Sequence, residues 1–227
     1  MDGVPIFPHM SQPKERAERV EQVIPGLYRW SVQDDRIGGV SSEAYAVVAE
    51  DGAVTLIDPL PIKEEALREL GPVEAIVLTA GNHQRAAWHL RKVFGAPVWA
   101  PQQAYGLEDN ADVTYGAGDT LPGGLVAYHT PGPAIAMYTL WLERPRSVVF
   151  LSDLLTHDEA GTPRFVDSQY QDDPARTRSS VRRILEHLPI EVVCFAHGDP
   201  LLHDAASVLR RALDEDTEFP LEATEPA

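Results

Sequence analysis

Four short segments hold the side chains from which this chain could build a reactive centre. They are Leu78-Thr-Ala-Gly-Asn-His-Gln-Arg85, His129-Thr-Pro-Gly-Pro133, Phe150-Leu-Ser-Asp153 and Phe195-Ala-His-Gly198. Histidine and aspartate are ligands of zinc enzymes, where three or four N, O or S donors hold the ion and one position stays open to water. Other chemistries lack their signals. Cys194 is the single cysteine and lies in the apolar run Glu191-Val-Val-Cys-Phe195, so it reads as a buried strand residue. Alone it forms neither an intrachain disulfide nor a cysteine-rich zinc site. Gly38-Gly39 and Gly123-Gly124 lack the Lys-Ser or Lys-Thr of a phosphate-cradling loop. No Gly-x-Ser-x-Gly elbow marks a serine hydrolase. The arginines of 176–183 share a helix with Glu186 and read as a solvated face.

The elements that must position those segments follow from apolar patterning and turn residues. Tyr45–Ala49 and Ala53–Ile57 are apolar runs split by Glu50-Asp51-Gly52, which reads as a hairpin. Further strands are expected at 73–79, 97–100, 125–129, 138–143, 147–152 and 191–196. Helices are expected near 62–70, 82–94, 174–188 and 204–213. Pro61 opens the first, and Asp173-Pro174 supplies an N-cap and N1 proline for the third. Asp204 is expected to cap the last. The hairpin-first order, with helices mixed in later, is not the strict alternation of a doubly wound sheet. It predicts an α+β fold, an αββα sandwich of two mixed sheets packed face to face with helices outside.

Of the 227 residues, 19 are Lys or Arg and 35 are Asp or Glu, for a net charge of −16. That balance argues against nucleic acid, whose phosphates are met by clustered Lys and Arg, and against an anionic membrane surface. No stretch approaches the ~20 apolar residues of a membrane span, and the Pro-broken N-terminus lacks the basic and apolar regions of a signal peptide. The expected location is the cytoplasm. Residues 1–19 read as an N-terminal arm, 20–213 as one domain, and 214–227 as a solvated acidic tail.

Together with Leu56-Ile-Asp-Pro-Leu60, the four segments are similar, in order and separation, to signatures of the metallo-β-lactamase superfamily. Leu56–Leu60 resembles its LIDTG segment, and Leu78–Arg85 falls where it has LTHxHxDH. His129–Pro133 falls where it has HTPGH, and the last two segments match its F-x-GD and HG segments. Catalysis in that family rests on one or two metal ions, usually zinc. Ala80, Asn82, Gln84 and Arg85 stand where the family has His, His, Asp and His, and Pro133 where it has the next His. Asp153, its bridging carboxylate, and His197, its last ligand, are retained. Alanine and proline offer no donor, amide carbonyls are weak partners for zinc, and a guanidinium repels a dication. The resemblance therefore implies a degenerate metal site and no bound cofactor, with zinc on Asp153, His197, His83 and His129 as the alternative. A structural or solvent-facing role is the first reading of His83, His89, His129 and His157, and His9, His187 and His203 carry no functional reading.

In that fold the strand-end loops converge. Asn82, His83, Arg85, Asp153 and His197 are thus expected to line a small ligand pocket, with Arg85 forming a bidentate pair with Asp153. The leading expectation is a family-fold protein without metal-dependent hydrolysis, binding a small polar or anionic ligand. The first alternative is a hydrolase of a small ester, lactone or thioester using an atypical metal site. The second is a structural or interaction subunit. A homodimer is the default assembly.

Overall fold

The computed structural model describes residues 12–158 and 160–219. A seven-stranded sheet runs in chain order: β1 (Glu21–Ile24), β2 (Leu27–Asp34), β3 (Val40–Val48), β4 (Val54–Ile57), β5 (Val73–Val77), β6 (Val98–Pro101) and β7 (Val113–Tyr115). Its first half is antiparallel and β4 to β7 are parallel. The second sheet contains β8 (Thr120–Leu121), β9 (Leu125–His129), β10 (Tyr138–Leu142) and β11 (Val148–Phe150). A ribbon of β12 (Leu155–His157) and β13 (Pro163–Phe165) follows, and β14 (Val192–Cys194) returns to pair parallel with β11. The expected hairpin is β3–β4, paired Tyr45 to Ile57 through Val48 to Val54.

Successive residues of each central strand face different apolar layers, which is why these strands read as continuous apolar runs. Leu27, Tyr45, Ile57 and Val77 meet Leu125, Leu140, Phe150 and Cys194 between the sheets. Leu56, Ile76 and Val98 face outward under Leu67 of α1 (Glu64–Arg68) and Leu90 of α2 (Ala87–Phe94). Val149 and Val193 carry Val181 and Ile184 of α3 (Pro174–His187) and Leu209 of α4 (Ala205–Asp214). The result is the expected α/β/β/α layering. No helix among the described residues is long and apolar enough to cross a membrane.

Four local expectations change. The helix expected over 82–94 is split into a 3-10 turn at Gly81–His83 and α2, because Arg85 takes a left-handed φ of 36° between them. Asp173 caps α3 as expected, accepting from the Arg176 amide at 2.9 Å, whereas Asp204 makes no side-chain cap and itself has a φ of 52°. Arg178 is no part of a solvated face: it is 2% exposed, lying 4.1 Å from the Phe165 ring and 4.7 Å from that of Phe219. Its guanidinium pairs with Asp216 at 2.7 Å and Glu218 at 3.4 Å, so the start of the expected acidic tail is tethered rather than free. At the other end, Ala17 of the arm bridges Ile62. His9 lies outside the described residues.

Candidate functional site

The polar residues of the site sit where strands end. Asp58 follows β4, Thr79 follows β5, Ser152 and Asp153 follow β11, and His197 follows β14. The two sheets are stitched beside them by the Glu43 amide donating to the Ala196 carbonyl (2.8 Å) and the Tyr45 hydroxyl donating to that of Phe195 (2.8 Å). Backbone strain concentrates here: Asp58, Arg85 and Ser152 all have positive φ, a conformation costing about 1–3 kcal/mol for a non-glycine residue.

His83 is the centre of the cluster and is 3% exposed. Its Nδ1 lies 2.9 Å from Asp58 Oδ2 and its Nε2 2.9 Å from Asp153 Oδ2. Both ring nitrogens therefore face carboxylates, an arrangement that favours the doubly protonated ring. Burial opposes the imidazolium, but Asp153 and Asp58 outweigh it and raise the His83 pKa to about 9. Asp153 is likewise penalised by burial, yet His83 and His197 hold its carboxyl well below the usual range. Thr79 locks Asp58, donating its amide to Oδ1 (2.7 Å) and its hydroxyl to Oδ2 (2.5 Å), and meets Ser152 Oγ at 2.8 Å.

Arg85 departs from expectation. Its side chain is buried, but Nη1 donates to the backbone carbonyls of Glu43 (2.7 Å) and Asp58 (3.2 Å). The partners of Asp153 are His83, His197 at 3.5 Å and Asn82 at 3.4 Å. The expected Arg85–Asp153 pair is therefore absent. His83 takes that place because the 3-10 turn aims the imidazole inward between the two carboxylates, while Arg85, past its kink, braces the backbone. The remaining pocket expectations converge: Asn82, His83, Asp153 and His197 meet in one cluster. His129 does not join it. Its Nε2 binds the Ile135 carbonyl at 2.8 Å and its ring tilts on Tyr138 at 5.0 Å. His89 pairs with Glu64, and His157 binds the His197 carbonyl at 3.1 Å.

One part of the cluster is left open. His197 donates Nδ1–H to the Ser41 carbonyl at 3.0 Å, which fixes the ring with Nε2 turned toward Asp153. That nitrogen faces Asp153 Oδ1, a buried oxygen with no hydrogen-bond partner among the described residues. The two atoms are 3.5 Å apart, each on a side chain 17% exposed, so Asp153 Oδ1 is open to a further donor.

A zinc centre fits these residues poorly. Ala80 and Pro133 offer no donor, Arg85 brings a buried cation, and both nitrogens of His83 are committed to carboxylates. Among the described residues no three His, Cys, Asp or Glu side chains are placed to hold a metal ion together. Sequence reasoning missed Asp58, Thr79, Ser152 and Glu43. Asp58 was within reach, since it is the aspartate of the Leu56–Leu60 segment. Glu43 had no signal: it lies mid-strand, 3% exposed, and burial raises its carboxyl pKa.

No curated protein matches the chain in sequence comparison. Solved structures share its fold at low identity. A metallo-β-lactamase from Pontibacter korlensis superposes with a TM-score of 0.70 at 19% identity, covering 87% of this chain and 99% of its own. The DIM-1 metallo-β-lactamase gives 0.69 at 17%, covering 88% and 98%. An archaeal metallo-β-lactamase superfamily protein from Sulfolobus tokodaii gives 0.62 at 17%, covering 88% and 90%. The family model described as the metallo-β-lactamase superfamily matches residues 21–215, nearly the whole described chain, and the protein belongs to that superfamily.

Proposed function

We propose that this protein is a member of the superfamily that does not carry out metal-dependent hydrolysis and instead binds a small polar ligand at the strand-end cluster. The observation that carries the reading is His83. Its imidazolium lies between Asp58 and Asp153 and, together with the buried Arg85 guanidinium that both carboxylates attract, balances their two negative charges. The cluster retains one unmet acceptor, the buried Asp153 Oδ1, which has no hydrogen-bond partner among the described residues. A ligand hydroxyl or amine N–H answers it better than an anion, which the Asp153 carboxylate repels. Asn82, exposed at the rim, adds an amide that can donate or accept.

The test is turnover of ester, lactone and thioester substrates by protein purified without chelator, with and without added zinc. The reading expects no zinc-stimulated, chelator-sensitive hydrolysis. Such hydrolysis, lost in Asp153→Asn and His197→Ala, would replace it with the hydrolase.

A further inference from the structure

A second candidate site lies apart from the strand-end cluster, in a groove of about 470 Å³ between β9 and α3. Its walls carry His129, Arg183 and His187 on an otherwise mainly apolar lining that includes Tyr128 and Ile184, and no carboxylate lines it. In a chain of net charge −16 this is a local reversal of sign.

Arg183 is exposed and held by one end. Its Nη2 donates to the His129 carbonyl at 2.7 Å and approaches Ser180 Oγ at 3.4 Å, while Nε and Nη1 make no hydrogen bond among the described residues. It forms no ion pair among them, in contrast to Arg29, Arg91, Arg146 and Arg178. The anchored arm fixes the guanidinium, leaving two N–H directions for a ligand. The imidazoles are fixed as well. His129 donates Nε2–H to the Ile135 carbonyl, and His187 donates Nδ1–H to the Arg183 carbonyl at 2.6 Å. Each ring therefore keeps one nitrogen uncommitted among the described residues. The His187 bond also satisfies a carbonyl of the last α3 turn, as does the Leu188 amide on Ile184, reducing the negative end of the helix beside the groove. Next in sequence to lining residues are Asp119, whose Oδ2 accepts from the Gly116 amide at 2.7 Å, and exposed Glu186 on α3.

We propose that this groove binds a small oxyanion, the carboxylate or phosphate group of a small molecule, with Arg183 as its principal contact. Guanidinium N–H pairs match the two oxygens of either group. The assignment is independent of what the strand-end cluster does.

The probes are inorganic phosphate and acetate, titrated at constant ionic strength against chloride while the His129 and His187 ring resonances are followed by NMR. A saturable, concerted shift of both rings with either probe supports the site, and the tighter probe identifies the group. Arg183→Gln should weaken that binding at least tenfold while keeping the fold, since it retains an amide to meet the His129 carbonyl. Arg176→Ala, which removes an exposed charge from the same helix, should leave it unchanged. Shifts that never saturate, unaltered binding in Arg183→Gln, or equal weakening in Arg176→Ala would overturn the proposal.

Discussion

At the scale of single residues, His83 behaves as a cation held between two carboxylates. With a pKa of about 9 in the folded chain against about 6.5 unfolded, His83 binds a proton in the native state that the unfolded state releases between those values. Its stabilising contribution is therefore complete below pH 6.5 and falls as pH rises through 9, by up to about 3 kcal/mol. Denaturant unfolding at pH 6, 7.5 and 9 should show that decline, and His83→Gln should flatten it. A native ring that titrates near pH 6.5 by NMR would contradict the carboxylate pairing. Arg85 gives a second expectation. Arg85→Ala leaves the buried carbonyls of Glu43 and Asp58 without that donor, a cost of about 1–3 kcal/mol for each. Unfolding free energies of the variant test it, and a protein as stable as the parent would show that the brace is dispensable.

At the scale of elements, close approach does what sequence pattern does not reveal. A Cβ on Gly132 would lie 2.2 Å from Thr177 Oγ1 and 2.5 Å from the Thr177 backbone, and one on Gly198 would lie 1.9 Å from His157 Nδ1. Gly132→Ala should thus push the 130–133 loop off the first turn of α3 and cost about 1–3 kcal/mol or more, read as a lowered Tm. The end of the chain makes a similar case. Ending the chain after residue 213 would leave Arg178 buried without Asp216 or Glu218, an uncompensated charge worth about 3–5 kcal/mol. A chain ended after residue 219 keeps Asp216 and Glu218 and should not suffer that loss. The acidic run 214–227 resembled a solvated tail because composition reports charge and says nothing of a buried arginine 38 residues earlier.

Across the whole molecule, the layering was legible because both sheets are buried on two faces, and turn residues punctuate their apolar runs. The neighbourhood of Asn82, His83, Asp153 and His197 was legible because ordered strand-end segments belong together in one architecture. The partner of Asp153 was not, since choosing between Arg85 and His83 depends on a left-handed kink at a non-glycine residue, for which sequence carries no signal. The strand-end cluster balances its two carboxylates with His83 and the buried Arg85 and leaves a dication no place. The measurement that tests it most directly is metal content per chain by inductively coupled plasma mass spectrometry, after expression with added zinc and purification without chelator. The account predicts zinc, iron and manganese each well below one equivalent, unchanged in His83→Gln. One equivalent or more of any of them, lost in Asp153→Asn and His197→Ala, would contradict it.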